Sequence, residues 1–456
     1  MGGGERASAT AFVRELAFAD LPDDVVASAR RSLLDLIGIA AAGNRTRAAH
    51  IATAFATSEL CGAKRGARIL FDGRRASLAG ASFAGATTID ALDGHDGHVL
   101  TKGHAGAAVL PALLALIDEI ASNAAATRID GREFLTCLAL GYEVATRAGI
   151  ALHATVPDYH CSGAWNALGC AAVAARRLTL DDERTRHALG IAEYFGPRGQ
   201  ILRACEAPTK VKDGSGWGAH AGITAAFLAR DGFTGAPALT VESENVARFW
   251  TDLGQRWRIR EQYFKAYPVC RWAQPAIEAA LMLQRAHGFT ADQVASIAIE
   301  SFREAVVLGS QCVMPRTTEE AQYSLSYPVA AALVFGRVGV EEVVAGGLCD
   351  ARVARLVAAT VAVEDLSFSL RFPAERWARM RIALDDGRTL VSEPVQARGG
   401  EDNPLSDEEL GQKYRSLAEP VLGPDRTARI ARSVDRLTYD AAALPALIED
   451  LLGPVP

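Results

Sequence analysis

The chain has 456 residues, 49% of them hydrophobic and 22% charged, which is enough apolar material for two or three packed domains and too much for a disordered chain. Its 48 basic and 54 acidic residues leave a formal net charge of −6, and the basic ones are scattered singly or in pairs such as Arg30-Arg31 and Arg176-Arg177. Nucleic acid is disfavoured as a partner, because phosphate tracking needs a basic stripe.

The opening Met1-Gly2-Gly3-Gly4-Glu5-Arg6 lacks the apolar core of a signal peptide. From Ala9 to about Leu283 apolar residues recur at three- and four-residue spacing, as in Val25, Val26, Ala29, Leu33, Leu34 and Ile37, and this predicts helices. Their alanine and glycine content implies helices that approach closely. Ala67 to Gly73 interrupts them as a hairpin with Asp72-Gly73 at its turn. The most apolar run, Ala105 to Ala121, carries Pro111, Asp118 and Glu119, so no membrane span is expected and a cytoplasmic enzyme is the default. After Cys270 the texture changes. Val294 to Phe302 and Arg379 to Leu384 alternate like strands, with helical patterns at Tyr327 to Phe335 and Val353 to Ala359 between them, as in a smaller α+β domain. Val395 to Asn403 reads as a linker, and Ser406-Asp407-Glu408-Glu409 opens a final helical segment that rejoins the first domain. The eight cysteines, Cys312 among them, are dispersed without a C-x-x-C spacing, which disfavours zinc ribbons and a disulfide framework.

Ile89 to Gly106 is the densest chemical segment, with Asp90, Asp93, Asp96, His95, His98 and His104 between alanine-rich flanks. Asp90 and Asp93 would share a helix face, Gly94 and Gly97 would end that helix, and His98 and His104 would fall in the following loop, an acid/base site at a helix end. A second reading is a metal-dependent hydrolase built on His95, Asp96 and His98, whose His95-Asp96 doublet resembles that of helical metal-dependent phosphohydrolases. His160 precedes Ser162-Gly163, which opens a helix whose free amides favour a carboxylate. Thr209 to His220 is glycine-rich but lacks the order of a phosphate loop, so Lys212 reads as a point charge for a carboxylate. Lys265 and Arg271 sit among aromatics at the apparent domain boundary, a favoured place for ligands, and Cys270 beside them reads as a buried hydrophobe.

Taken together, Leu21-Pro22 with Leu34 to Gly38, the Asp93 to His104-Ala105-Gly106 cluster with Pro111, the lysine loop before Gly222 to Ala226 and Gly232 to Gly235, Lys265-Ala266-Tyr267-Pro268, and Tyr323 to Tyr327 resemble the MmgE/PrpD family. That family contains 2-methylcitrate dehydratases, cis-aconitate decarboxylases and iminodisuccinate epimerases. The resemblance implies a mainly α fold, a large helical domain with an inserted smaller α+β lid, divided here as residues 1–267, 268–401 and 402–456, in a homodimer. It implies active-site positions at Asp93, His104, His160, Lys212, Lys265 and Tyr327, no cofactor and no metal, and a small polycarboxylate as substrate; Asp93, His104, His160 and Tyr327 are then read as catalytic, and Lys212 and Lys265, together with Arg271 at the domain boundary, as the substrate-binding cations. Dehydration is the favoured reaction, with decarboxylation or epimerisation as alternatives. Three departures fall in the substrate-contacting loops: His104-Ala105-Gly106 replaces a His-Pro-Ser/Gly, Gly97 replaces a hydroxyl residue, and Lys212 to Gly218 replaces a Lys-Pro-x-His-x-Gly.

Overall fold

The computed structural model describes residues 8–62, 66–121, 129–310 and 314–456; Met1 to Arg6 and Cys312 lie outside these ranges. The fold is mainly helical, with a single larger sheet among the described residues.

Helix α1 (Asp23–Gly43) begins with Asp23 and Asp24 in its first turn, where negative charge meets the positive end of the helix dipole. Helix α2 (Arg47–Ser58) is capped by Thr46, whose hydroxyl accepts from the Ala49 amide at 3.2 Å. The expected hairpin follows as β1 (Ala67–Arg68) against β2 (Arg75–Ala76), with Gly73 in the left-handed region its turn requires, at φ 83°. Then come α3 (Leu78–Asp90), the two-residue β3 (Gly97–His98), α4 (Gly106–Ala121), α5 (Gly131–Thr155), α6 (Gly163–Arg177), α7 (Asp182–Phe195) and α8 (Ser215–Arg230). Small residues let these helices touch: a Cβ on Gly222 of α8 would lie 2.4 Å from the Ala167 carbonyl oxygen of α6. Helix α5 is long and apolar enough to cross a membrane by length and composition, and its apolar window is entirely buried inside the protein.

A short β4 (Gln262–Tyr263) leads into the second unit. There α9 (Gln274–His287) packs against a five-stranded sheet in which β5 (Val294–Ser301) pairs antiparallel with β7 (Trp377–Leu384) and parallel with β6 (Thr360–Glu364). Helices α10 (Ser326–Phe335) and α11 (Ala351–Ala358) make the crossover between β5 and β6. Ala378, Met380, Ile382 and Leu384 of β7 are buried at strict period two, as the sequence alternation requires. Strands β8 (Thr389–Val391) and β9 (Val395–Gln396) both pair with β7, so the segment read as a linker from Val395 starts as a strand. The chain then returns. Helix α12 (Asp407–Arg436) opens with a capping box between Ser406 and Glu409, kinks at Gly423 between Pro420 and Pro424, and lies along α1. Helix α13 (Ala443–Leu452) ends the bundle.

One local expectation fails at the histidine segment. Helix α3 stops at Asp90, and Asp93 stands beyond it with φ 49°, so Asp90 and Asp93 do not share a helical face. The Asp93 carboxylate is instead held by the buried ammonium of Lys265. His98 lies in β3 rather than in a loop.

Candidate active site

A two-residue ribbon assembles the site. Strand β3 pairs antiparallel with β4, Gly97 opposite Tyr263 and His98 opposite Gln262, which brings the Lys265 segment onto the Asp93 segment across more than a hundred and sixty residues of chain. The Lys265 ammonium donates to Asp93 Oδ1 at 2.6 Å and to the Asp93 carbonyl at 2.9 Å, and both side chains are buried. Burial pushes the Asp93 carboxyl up, but Lys265, Lys212 and His104 outweigh it and hold it below the usual carboxylate range. Burial likewise opposes the Lys265 charge, and Asp93 reverses the effect, so its pKa is raised.

His104 is set by its surroundings on both nitrogens. Nδ1 donates to the Asp96 carbonyl, which fixes the tautomer and leaves Nε2 with its lone pair 3.4 Å from Asp213 Oδ2 and 3.8 Å from Asp93 Oδ1. Burial first and Lys265 second push its pKa down to about 3, so the ring is neutral near pH 7. Its amide donates to Ser162 Oγ at 2.9 Å, and Ser162 Oγ donates in turn to Asp213 Oδ2 at 3.0 Å. The α6 N-terminus read as a carboxylate site is thus occupied by the chain's own Asp213, whose carbonyl also accepts from the Gly163 amide at 3.0 Å. Burial, Asp90 and Asp93 push the Asp213 carboxyl up to about 7; burial also lifts Asp90, to about 6. The site therefore holds a neutral imidazole, an anchored carboxylate, and a carboxyl group able to carry a proton near neutral pH.

Lys212 is buried, not on a surface loop. Its ammonium donates to Gln322 Oε1 at 2.5 Å and to the Ala91 carbonyl at 3.4 Å, and lies 5.7 Å from the centre of the Tyr323 ring. Arg271 lies over the Tyr263 ring at 4.7 Å and donates to the carbonyls of Arg398 and Ala397. Asp93, His104, Lys265 and Arg271 line one narrow cleft between the helical and α+β units. Asp93, Lys102 and Lys212 all have left-handed backbone, at φ 49°, 54° and 44°. Three of five such non-glycine residues among those described are therefore at this site, where roughly 1–3 kcal/mol of strain each is held by the surrounding packing.

Two expected residues fall elsewhere. Tyr327 is in the first turn of α10 with its hydroxyl directed into the α+β unit, donating to the Glu342 carbonyl at 2.5 Å and to that of Gly347 at 3.3 Å. Tyr323, four residues earlier, is the tyrosine of that motif that lines the cleft. His160 is half-buried, with Nδ1 3.3 Å from the Arg198 carbonyl and its amide donating to His153 Nε2 at 3.1 Å, outside the His104 group. Conversely, the sequence reading did not select Asp213, Lys102, Tyr263, Tyr323, Gln322 or Arg376. Asp213 and Lys102 lie inside segments already marked by their neighbours, whereas Arg376, one basic residue before a strand, carries no local signal.

The proposed metal set His95, Asp96 and His98 does not converge. His98 Nε2 donates to Glu261 Oε2 at 2.9 Å, and Asp96 Oδ2 accepts from Tyr142 at 2.5 Å. Among the described residues the group whose ligand atoms lie together, within 4.8 Å, is Asp93, His95 and His104. His95 packs on His104 with ring centres 4.1 Å apart, and neither of its ring nitrogens has a hydrogen-bond partner. A cation there would have to displace the Lys265 ammonium from Asp93 with Lys212 nearby, so the charge distribution opposes metal binding.

The MmgE/PrpD N-terminal domain matches residues 8–255 and the MmgE/PrpD C-terminal domain matches residues 267–438. Over 474 residues the chain is 26% identical to a cis-aconitate decarboxylase-like protein of Aspergillus oryzae, covering 96% of this chain and 95% of the relative. It is 25% identical to the cis-aconitate decarboxylase of Homo sapiens, covering 96% and 92%, and 23% identical to that of Aspergillus terreus, covering 94% and 92%. With both domains matched in order over most of its length, the chain belongs to the MmgE/PrpD family.

Proposed function

We propose that the protein is a lyase that breaks a bond at a carbon next to a carboxylate in a small polycarboxylate, with decarboxylation of a cis-aconitate-like substrate as the first candidate. The observation that carries this reading is the commitment of the His104 Nδ1 proton to the Asp96 carbonyl, which leaves Nε2 facing Asp93 and Asp213 in a cleft lined by buried cations. A carbon acid of this kind is weak in water. Its transition state needs fixed positive charge for the carboxylates and a proton donor or acceptor beside the carbon.

In decarboxylation the bond from carbon to one carboxylate breaks, its electron pair stays on carbon, carbon dioxide leaves, and a proton is delivered to that carbon or its conjugate position. The Asp213 carboxyl, with His104 Nε2 beside it, is the donor group, and Lys265 and Lys212 hold the remaining carboxylates. Dehydration, the reaction favoured by the sequence reading, draws on the same groups in the other direction: Nε2 takes the proton from carbon and Asp213 gives one to the departing hydroxyl. The relatives named as cis-aconitate decarboxylases tip the choice toward decarboxylation.

The test is incubation with cis-aconitate, 2-methylcitrate, citrate and iminodisuccinate in deuterated water, followed by proton NMR, alongside His104→Ala. Loss of carbon dioxide from cis-aconitate with deuterium entering the product, abolished in the variant, is expected. Turnover that survives His104→Ala, or no change in any of the four acids, would overturn the reading.

A further inference from the structure

Positive charge is left over in the cleft once Lys265 has been matched to Asp93. Lys102, Arg271 and Arg376 also line it, and among the described residues none of the three forms an ion pair. Arg376 is 6% exposed; one Nη donates to the Val99 carbonyl at 3.3 Å, and its Nε has no partner. Its guanidinium lies over the rings of Phe372 at 5.7 Å and Tyr263 at 6.0 Å. The Lys102 ammonium, 4.0 Å from the centre of the Tyr159 ring, has the Leu100 carbonyl at 3.3 Å as its hydrogen-bond partner. Burial and then Arg376 push the Lys102 pKa down to about 8, with Glu304 acting weakly the other way. Arg271 differs, since both of its terminal nitrogens already donate to main-chain carbonyls.

A buried guanidinium with an unpartnered Nε, near a half-buried ammonium, is a donor arrangement that a carboxylate can satisfy with two parallel hydrogen bonds. We propose that Arg376 and Lys102 form a carboxylate subsite, separate from the Lys265 and Lys212 pair, that selects substrates with an acid group remote from the reacting carbon. It rests on the lyase reading above and assigns the residues that hold the substrate's remote carboxylate. The two residues come from different units. Arg376 leads into β7, Lys102 sits in the turn after β3, and the Arg376 contact with Val99 already crosses between them. A bound carboxylate would therefore tie the α+β unit to the helical unit at the moment the substrate is in place.

The probe is the unreactive tricarboxylate tricarballylate, with butyrate as the one-carboxylate control, both measured by calorimetry on the full chain and on Arg376→Met, Arg376→Lys and Lys102→Met. Tricarballylate should bind Arg376→Met about 30- to 100-fold more weakly than wild type, and Lys102→Met about 10-fold more weakly, with butyrate changing less than 3-fold and Arg376→Lys recovering part of the loss. On cis-aconitate, Arg376→Met should raise KM more than it lowers kcat. Unchanged tricarballylate binding in Arg376→Lys and Lys102→Met, or an equal loss for butyrate, would overturn the subsite. If binding follows the expected pattern while no polycarboxylate turns over, the lyase reading fails and the subsite stands; turnover with unchanged binding shows the converse.

Discussion

Replacing Lys265 with methionine tests the electrostatic reading of the site most directly, because it removes one partner of a buried pair and keeps most of the side-chain volume. Lys265 is 1% and Asp93 4% exposed, and the pair is closed at 2.6 Å. Leaving a buried charge without its partner costs about 3–5 kcal/mol. Lys212 still acts on Asp93, so the lower end, about 3 kcal/mol, is expected. An unfolding entropy of roughly 2.1 cal/mol/K per residue over 456 residues is about 1 kcal/mol/K, which converts that deficit to a fall of about 3 °C in Tm. The dependence on pH is the sharper readout. In the wild type Asp93 is held below its unfolded pKa, so its stabilising contribution is present above the ordinary carboxylate range and is lost as pH falls through the folded value. Without Lys265, burial dominates and Asp93 moves upward, so protonation relieves the variant as pH falls. Thermal melts of wild type, Lys265→Met and the double variant Asp93→Asn with Lys265→Met should show the single variant's deficit shrinking from pH 8 to pH 5. The double variant should be at least as stable as Lys265→Met at pH 8. A single variant as stable as wild type at pH 8, or a double variant less stable than the single one, would refute the pairing argument.

His104→Ala should lower kcat by about 10²–10⁴ with a small change in KM, since a proton-transfer group acts mainly in the transition state; steady-state kinetics on the reacting acid identified by NMR decides it. Because the Asp213 carboxyl is lifted to about 7 and His104 lowered to about 3, kcat/KM should fall on the alkaline side of about pH 7 and hold on the acid side to well below pH 5. An Asp213→Asn enzyme that keeps the same alkaline limb would contradict this assignment of the donor. A Cβ on Gly97 would lie 2.6 Å from Tyr263 Oη and 2.8 Å from His104 Nδ1. Gly97→Ser should therefore cut kcat by at least about tenfold, and Tyr263→Phe in the same chain should restore part of it if the clash is with the phenol. Lys413→Met removes the ammonium of α12 that donates to Asp35 at 2.5 Å and to the Gly94 carbonyl at 2.7 Å. It should lower both Tm and kcat with KM little changed; an unaltered kcat would separate α12 from the catalytic loop.

Much of the architecture was legible because it follows from periodicity. The alternation in Val294 to Phe302 and in Arg379 to Leu384 identified the two central strands, which pair antiparallel in the structure, and Ser406 with Glu409 marked the start of α12. The histidine segment was legible as chemistry but not as conformation. Helical spacing placed Asp90 and Asp93 on one face, whereas Asp93 stands in the left-handed region beyond the helix end, its carboxylate held by Lys265, 172 residues away. Tyr327 and Tyr323 illustrate the same limit. Both lie in one short motif, and which of them faces the cleft depends on where α10 begins, a boundary that local sequence does not determine to within a turn. Arg376 was invisible because its meaning comes from burial beside Tyr263 and from the lack of a carboxylate partner among the described residues. Both are tertiary facts.

The charge distribution also says why this cleft lies between two units rather than inside one. A single packed core holding Lys212, Lys265, Arg271 and Arg376 with Asp90, Asp93 and Asp213 would carry a desolvation cost that no internal pairing here fully offsets. Between a helical unit and an α+β unit, Lys265, Arg271 and Arg376 instead line a cleft into which a ligand can bring opposite charge. On the proposed reading a bound polycarboxylate supplies the missing negative charge, and it stabilises the folded chain by as much as it prefers that state to the unfolded one. The prediction that follows is quantitative. Tricarballylate should raise the Tm of the wild type well above that of the chain alone and raise it far less in Arg376→Met, whereas sodium chloride at the same ionic strength should move both alike. Equal shifts from the two solutes would mean that general screening, and not a fitted carboxylate, stabilises the cleft.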